Sequence, residues 1–356
     1  MVCRGATHEN DCRDDKRENF CDAHEGIVAY NEIVLSELLK FFSQKKSQAA
    51  FDPVTLPWLD RPDYKSKIEG KLKTKEITED EASMLLGWAT DGFLALRGTV
   101  EDSLIDTLWR DEERAWKERP ACKILSEGVG VTMLKDSKPK EELLHHHYRL
   151  MDFHNLSEAG AKVMMHSRII RMLTLIFGEP VIAMQSLLFE YGSEQHLHQD
   201  FPYVHSGIPS HLIGGWVACE PADAENGSLL YYPGSHRIPL FDFGEGSVLY
   251  KNDDPKKIDA FEGYLARECA KLPKKPLILD AKKGDVLLWH GALVHGGALT
   301  QKKERTRRSF VLHYSTQRAY TLDRRSYDKP PVEIELNGGK YHAWQFEGHE
   351  EGRYRL

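Results

Sequence analysis

A mainly β fold with flanking helices, that is, an α+β protein with an antiparallel core, is the class that this 356-residue sequence predicts. After Pro180 the chain consists of short apolar or alternating runs separated by turn residues. With one exception, no regular helix separates these runs. Several short strands in one region favour an antiparallel sandwich or jelly roll over a parallel sheet.

Composition and charge limit the classes of function. Hydrophobic residues make up 41% and charged residues 29%, and the net charge is -7, so a general nucleic-acid or anionic-membrane surface is not expected. No apolar run has the length of a membrane span. The six cysteines form no Cys-x-x-Cys pair and no N-terminal signal sequence is visible, so we expect a reduced, cytoplasmic protein.

The first part of the chain, residues 1–90, is predicted to be a helical N-terminal extension packed on the core. Its segment 26–45 carries a helical apolar stripe. Thr78 and Glu81 have the spacing of a capping box and open a helix that runs to Gly92.

Residues 91–330 are predicted to form the core domain, followed by a C-terminal tail over 331–356. A first strand, 93–96, and a helix over 101–117 precede a segment, 149–177, that contains another helix. A helical insertion is expected near 254–271. The predicted strands are 181–191, 212–219, 228–232, 277–279, 285–289, 292–295 and 309–314.

The chemistry begins at His198 and Asp200, which are two residues apart. On a strand, both side chains project from the same face. One imidazole and one carboxylate are two-thirds of a facial triad, which holds non-haem Fe(II) and leaves positions open. A lone His-x-Asp more often marks a solvated loop or a satisfied hydrogen bond, so a third ligand is needed.

The segment 284–297 offers two candidates for that ligand, His290 and His295, before a Gly-Gly pair that gives the backbone room close to a metal. His290 lies five residues earlier and faces the opposite side of a regular strand. Arg307 follows, at the entrance to a buried strand, where it needs an anionic partner such as a dicarboxylate.

Four motifs now stand in order: His-Gln-Asp at 198–200, Pro-Gly-Ser-His at 233–236, the Gly-Asp to Gly-Gly block at 284–297, and Arg-Arg-Ser-Phe at 307–310. Together they resemble the phytanoyl-CoA dioxygenase family of Fe(II)/2-oxoglutarate oxygenases, roughly over residues 92–314. The resemblance implies a double-stranded β-helix, which is a cupin-like jelly roll.

The resemblance also assigns roles. It implies that His198, Asp200 and His295 are the catalytic iron ligands and that Arg307 binds the far carboxylate of 2-oxoglutarate. Because family members often have a spacing one residue shorter, Arg308 stays an alternative, with Arg305 a remote one. Strand alternation allows only one of Arg307 and Arg308 to face inward.

Three further residues are candidates for contact with 2-oxoglutarate. Trp216 matches a family tryptophan near the cosubstrate, although it is equally a core aromatic. Gln185 points into the pocket or pairs with a neighbouring strand. Some members place a hydroxyl after the last histidine; Gly296 and Gly297 stand there in this chain, so Ser309 or Tyr191 is expected to supply that contact.

The function that the resemblance implies is oxidation of a C–H bond of a small-molecule metabolite, with release of succinate and CO2. The cofactors would be Fe(II), 2-oxoglutarate and O2, with ascorbate in support. Hydroxylation is preferred over halogenation because related halogenases place a small residue where this chain has Asp200, whereas desaturation, ring closure and epoxidation use the same oxidant and stay open as alternatives. The alternatives are a jelly-roll small-molecule-binding protein, which predicts a missing ligand or arginine, and a cupin-type metalloenzyme without 2-oxoglutarate, which leaves Arg307 unpartnered.

Overall fold

The computed structural model describes residues 49–126, 130–143, 147–251, 254–320 and 331–343. The helix predicted over 26–45 lies outside the described residues, as do Cys3, Cys12 and Cys21.

The helices lie mostly in the first half of the chain. In the described part they are α1 (Tyr64–Lys73), α2 (Glu79–Asp91), α3 (Asp102–Glu118), α4 (Lys140–Leu143), α5 (Glu158–Met164), α6 (Ser167–Phe177) and α7 (Pro255–Cys269). Short 3-10 turns occur at Trp58–Asp60, Leu134–Asp136, Phe153–Asn155 and Ser235–Arg237. The capping box of α2 is confirmed, because Thr78 Oγ1 accepts from the Glu81 amide and Glu81 accepts from the Thr78 amide.

The described strands are β1 (Phe93–Leu96), β2 (Lys123–Ser126), β3 (Gly130–Met133), β4 (Arg149–Met151), β5 (Val181–Phe189), β6 (Ile213–Ala218), β7 (Leu229–Tyr231), β8 (Leu277–Ile278), β9 (Val286–His290), β10 (His295–Gly297), β11 (Ser309–Thr316), β12 (Val332–Leu336) and β13 (Gly339–Ala343). The larger sheet has the order β1-β9-β6-β11-β5-β4-β2-β3, with β12 and β13 attached beside β5. The smaller sheet has the order β10-β7-β8. The predicted jelly-roll core with flanking helices is confirmed.

Two expectations need correction. The predicted strand 292–295 is a turn up to Val294, because the Ala292 amide donates to His290 Nδ1 and the Val294 amide donates to Ser235 Oγ. The predicted tail 331–356 is not a tail over its described part: β12 and β13 form a hairpin, and β13 pairs in parallel with β5. Tyr341 of this hairpin belongs to the main hydrophobic core.

Alternate residues of the larger sheet contribute to two separate apolar layers. Val286 and Leu288 of β9 belong to the core shared with the helices, which we call the helix layer. Leu287 and Trp289 point the other way, into an inner layer that also contains Tyr231 of the smaller sheet. The period of two is that of a strand buried on both faces. The inner layer is therefore where the two sheets meet.

The described part of the N-terminal extension packs on this core. Leu59, Ile68, Leu85 and Trp88 are buried in the helix layer together with residues of the larger sheet. The division into domains at residue 90 stays a prediction. No helix in the described ranges is long and apolar enough to cross a membrane.

Candidate active site

The site is built on a backbone pair between two distant segments. His198 and His295 form an isolated antiparallel bridge, in which each amide donates to the carbonyl of the other, at 2.9 and 3.0 Å. Residues that exchange both hydrogen bonds lie directly opposite each other, with side chains on the same face. The bridge therefore brings together two imidazoles that are 97 residues apart in the chain (295 − 198).

Asp200 completes a group of three possible metal ligands. One ligand atom from each of His198, Asp200 and His295 lies within 4.8 Å of the others. The Nε2 atoms of the two histidines are 3.6 and 3.5 Å from Asp200 Oδ1. In both rings Nδ1 contacts a backbone carbonyl, that of His196 at 2.8 Å and that of Leu293 at 3.0 Å. Each Nδ1 therefore carries the proton, and each Nε2 presents its lone pair to the common point.

The second oxygen of Asp200 faces away from that point. Trp289 Nε1 donates to Asp200 Oδ2 at 2.7 Å, and His313 Nε2 lies 3.4 Å from the same oxygen. The amide nitrogen of Gln185 is 3.1 Å from His313 Nδ1. Because an amide NH2 can only donate, His313 carries its own proton on Nε2, toward Asp200.

The electrostatics keep Asp200 and His295 in the protonation states that a metal needs. Burial raises the pKa of Asp200, but His295, His313 and His198 outweigh burial and hold this pKa well below its ordinary value. Burial lowers the pKa of His295 to about 4, against the opposing effect of Asp200. The carboxylate is thus ionised and the His295 imidazole neutral at physiological pH.

A cavity of about 220 Å³ opens beside the three groups. Its lining is apolar on several sides, with a cluster of polar groups around the His-Asp-His set. The residues lining it are Leu125, Arg149, Met151, Gln185, Leu187, Phe189, Ser193, Gln195, His198, Asp200, Tyr203, Val204, Trp216, Leu229, Trp289, His295, Gly296, Gly297, Arg307, Val311 and His313.

Arg307 lies in this cavity as a buried cation with few partners. It is 3% exposed, and its guanidinium carbon lies 5.6 and 5.7 Å from the ring centroids of Phe189 and Trp216. Its Nη2 donates to the Tyr191 carbonyl at 3.3 Å, whereas Nε has no hydrogen-bond partner among the described residues. Burial lowers the pKa of Arg307 to about 10. A buried guanidinium in this condition fits an anionic ligand.

The two alternative arginines point elsewhere. Arg308 lies over the Trp109 ring at 4.6 Å and 3.5 Å from Glu190 Oε1, on the helix side of the larger sheet. Arg305 forms salt bridges with Asp223 and Glu225, and all three side chains are partly exposed. Of the three, only Arg307 lines the cavity.

Of the remaining residues predicted to contact 2-oxoglutarate, two line the cavity and the others do not. Trp216 and Gln185 line the cavity, and Trp216 is at the same time part of the inner layer. Ser309 is fully buried, and its hydroxyl has no partner among the described residues, but it does not line the cavity. His290 is not part of the triad, because its Nε2 contacts Asp60 Oδ2 at 3.2 Å instead.

Glycine is needed at positions 296 and 297 for a different reason from the expected one, which was backbone room close to a metal. A Cβ at Gly296 would lie 2.7 Å from the Gln195 carbonyl oxygen, and one at Gly297 would lie 2.8 Å from the Glu194 amide nitrogen. The glycines therefore allow the chain that carries His198 to approach β10 closely.

Sequence reasoning missed three residues of this site: Trp289, His313 and Tyr203. Trp289 donates to the outer oxygen of Asp200, His313 Nε2 lies 3.4 Å from the same oxygen, and the ring centroid of Tyr203 lies 6.5 Å from that of His198. His313 is an even number of residues after Arg307, so strand alternation places both side chains on the same face. This alternation was the available signal. No such signal was available for Trp289 or Tyr203, because aromatic residues at such positions are equally expected in a hydrophobic core.

The donor set fits Fe(II). Two imidazoles and one carboxylate converge, their other polar atoms are held by backbone or side-chain partners, and a cavity adjoins them. The buried Nε of Arg307 and Nε1 of Trp216, which have no hydrogen-bond partner in the described part of the chain, fit an additional polar ligand beside the metal.

Comparisons with known proteins agree with this geometry. Residues 88–308 match the family Phytanoyl-CoA dioxygenase (PhyH). The peroxisomal phytanoyl-CoA dioxygenase of Bos taurus is 24% identical over 258 residues, which is 69% of this chain and 72% of the relative. Phytanoyl-CoA dioxygenase domain-containing protein 1 of Danio rerio is 30% identical over 137 residues, 38% of this chain and 44% of the relative.

Solved structures show the same fold. The epimerase SnoN, in complex with Fe3+, alpha ketoglutarate and nogalamycin RO, superposes with a TM-score of 0.52 at 14% identity, covering 74% of this chain and 98% of SnoN. EctD from S. alaskensis, with 2-oxoglutarate and 5-hydroxyectoine, has a TM-score of 0.50 at 17% identity, covering 81% of this chain and 91% of EctD.

Fold, site and family match together define the class: this protein is an Fe(II)/2-oxoglutarate-dependent oxygenase. The match covers more than half of the chain, so the chain belongs to the phytanoyl-CoA dioxygenase family.

Proposed function

We propose that this protein hydroxylates a C–H bond of a small-molecule metabolite, with His198, Asp200 and His295 holding Fe(II) and Arg307 anchoring 2-oxoglutarate. The observation that carries the proposal is the convergence of three ligand atoms within 4.8 Å beside a cavity that contains a buried, underpartnered arginine. The cytoplasmic location predicted from the sequence is part of the same proposal.

When bound, Fe(II) with 2-oxoglutarate and O2 supplies the oxidant, and the cosubstrate leaves as succinate and CO2. The protein's own residues supply orientation. The backbone carbonyls at Nδ1 keep both imidazoles turned toward the metal position, and Trp289 with His313 restrains Asp200 so that Oδ1 faces it.

Arg307 is suited to the far carboxylate of 2-oxoglutarate. Its guanidinium is planar and buried, and it has free donor capacity at Nε. In a low-dielectric site, an ion pair with a carboxylate offsets the cost of burying the guanidinium. The cavity position of Arg307, against the outward position of Arg308, supports this choice between them.

The cavity also bears on the substrate. Leu125, Met151, Leu187 and Val311 give it apolar walls, and Tyr203, which is 39% exposed, stands where the cavity meets solvent. These walls suit the hydrocarbon part of a small molecule. Hydroxylation is the preferred outcome over halogenation, because Asp200 would serve as an iron ligand where related halogenases have a small residue.

The first test is the Asp200→Ala variant. We expect loss of succinate release from 2-oxoglutarate and weaker Fe(II) binding, because a charged ligand is removed from a three-ligand site. Asp259→Ala, at an exposed position of α7, is the control and should behave as wild type. Unchanged succinate formation in Asp200→Ala would disprove the assignment. A wild-type protein that binds 2-oxoglutarate and Fe(II) without ever consuming the cosubstrate would instead indicate a binding protein.

The second test compares Arg307→Ala with Arg308→Ala. The Arg307 change should raise the apparent KM for 2-oxoglutarate about 100-fold, since truncating one partner of a buried charge pair costs about 3 kcal/mol. The iron requirement should change far less. Arg308→Ala should lower thermal stability through its contacts with Glu190 and Trp109 and leave the KM near that of wild type. The opposite pattern would transfer the anchor to Arg308.

A further inference from the structure

We propose that Asp60 is a positioning residue for the iron site, acting through His290 on the turn that holds Asp200 and His295. Asp60 lies outside residues 88–308, the part of the chain that matches the family. The inference rests on the proposed iron site and adds to it a residue from the N-terminal segment.

The contact between Asp60 and His290 is buried and directional. Asp60 Oδ2 is 3.2 Å from His290 Nε2, and the two side chains are 13% and 6% exposed. His290 Nδ1 accepts a hydrogen bond from the Ala292 amide at 3.0 Å. The proton of the ring therefore lies on Nε2, and the imidazole donates it to Asp60.

The turn that His290 begins, residues 290–294, offers three successive carbonyls to the iron-binding segments. The Gly291 carbonyl accepts from the amides of Asp200 and Phe201, at 2.9 and 3.2 Å. The Ala292 carbonyl accepts from the Gln199 side chain at 2.6 Å. The Leu293 carbonyl contacts His295 Nδ1 at 3.0 Å. A shift of this turn would thus move Asp200 and rotate the His295 ring together.

Asp60 is itself held in place from the other side. It ends the 3-10 turn Trp58–Asp60, where Trp58 Nε1 donates to the Leu175 carbonyl at 3.0 Å and Leu59 is buried. His211 Nε2 donates to the Thr55 carbonyl at 2.7 Å, which fixes the preceding residues. The carboxylate is thus presented to His290 by a docked segment rather than by a free side chain.

Charge around Asp60 favours its ionised form. Burial raises the pKa of Asp60, but the interactions with His290, together with the charge of Arg237, outweigh burial and lower the pKa below its ordinary value. A carboxylate accepts a stronger hydrogen bond from an imidazole than a neutral acceptor does. This strength is what fixes the orientation of the His290 ring and, with it, the Ala292 amide.

The test measures Fe(II) affinity of the full chain by competition with a chelator, together with the absorption band of the Fe(II)–2-oxoglutarate complex. Asp60→Ala should weaken Fe(II) binding about tenfold, at the lower end of what loss of outer partners costs metal sites, and should shift the band. Asp60→Asn keeps an acceptor and should recover most of the affinity. Asp63→Ala removes an exposed carboxylate that pairs with Lys67, and it should change nothing.

A second variant keeps the inference testable if Asp60→Ala does not fold. His290→Asn preserves an acceptor for the Ala292 amide but cannot reach Asp60, so it should reproduce the loss of affinity and the spectral shift. Wild-type affinity in folded Asp60→Ala or His290→Asn would overturn the inference and leave a purely structural role. A wild-type protein that binds no Fe(II) would instead overturn the proposed function.

Discussion

The two oxygens of one carboxylate have separate environments at this site. Asp200 Oδ1 faces His198 and His295, whereas Oδ2 accepts from Trp289 and faces His313. A carboxylate with one oxygen held in this way presents the other to a metal in a fixed direction. We therefore expect Trp289 to affect metal binding without being a ligand.

At this scale we predict the effect of Trp289→Phe. The change removes the indole N–H that holds Asp200 and should weaken Fe(II) binding about tenfold. Trp116→Phe is the matched control, because it makes the same change at an indole N–H that has no partner among the described residues. Chelator competition on both variants checks the prediction. Equal Fe(II) affinities in the two would show that the Trp289 hydrogen bond does not matter.

At the scale of elements, the site depends on strands that are buried on both faces. The larger sheet directs Val286 and Leu288 of β9 toward the helices, and Leu287 and Trp289 inward. The same alternation on β11 directs Phe310 outward to the helix layer and Val311 and His313 to the cavity. β9 and β11, which are separated by β6 in the larger sheet, thus each use one face for packing and the other for the site.

Gly214 of β6 tests this arrangement. It pairs with Trp289 across the sheet, and a Cβ at Gly214 would lie 2.2 Å from Trp289 Cε2. Gly214→Ala should therefore displace the indole, destabilise the fold by about 1 to 3 kcal/mol as overpacking does, and weaken Fe(II) binding. Urea denaturation and chelator competition measure the two effects.

The control for that variant is Gly70→Ala on helix α1. A Cβ at Gly70 meets nothing within 4 Å, so alanine should stabilise the exposed helix by about 0.5 to 1 kcal/mol. Its Fe(II) affinity should equal that of wild type. A stable Gly214→Ala with normal iron binding would show that Trp289 has more room than the structure indicates.

At the scale of the whole molecule, segments from both sides of the family region share one core. Leu59 and Leu85 from the N-terminal part and Tyr341 from the C-terminal hairpin are buried in the helix layer. Beneath it, His236 is buried beside His290, with ring centroids 5.4 Å apart. A histidine in such surroundings makes the stability of the whole fold depend on pH.

Burial, together with His290 and Arg237 and against Asp60, lowers the pKa of His236 from 6.5 to about 3. The unfolded chain binds a proton near the ordinary pKa, but the folded chain does not. Stability from this residue is thus fully present above pH 6.5 and is lost as the pH falls toward about 3. We expect metal-free protein to lose about 1 to 2 kcal/mol between about pH 6.5 and 5 from His236 alone.

The measurement is urea denaturation across this pH range. His236→Gln should flatten the dependence of the unfolding free energy on pH, and His196→Gln, at an exposed position, should not. An unchanged slope in His236→Gln would contradict the assignment of acid sensitivity to His236.

Many elements of this fold were predictable because the sequence patterns that indicate them lie within short segments. The capping box of Thr78 and Glu81 requires only a spacing of three residues, and most strands after Pro180 are bounded by turn residues. The strand predicted over 292–295 was wrong because the Val294 amide donates to the side chain of Ser235, which is distant in sequence. The hairpin of β12 and β13 was missed for a related reason, since its attachment to β5 is a tertiary pairing.

The sequence by itself determined the class of fold, because strand periodicity is a property of short segments, and its four ordered motifs predicted the ligand types through the family that they resemble. Only the tertiary structure decided which arginine lines the cavity. Strand alternation places Arg307 and Arg308 on opposite faces, but which face is inward depends on the side of the sheet that the helices cover. The tertiary structure also decided that His290 turns to Asp60 while His295 lies opposite His198, because both outcomes depend on contacts between residues far apart in the chain.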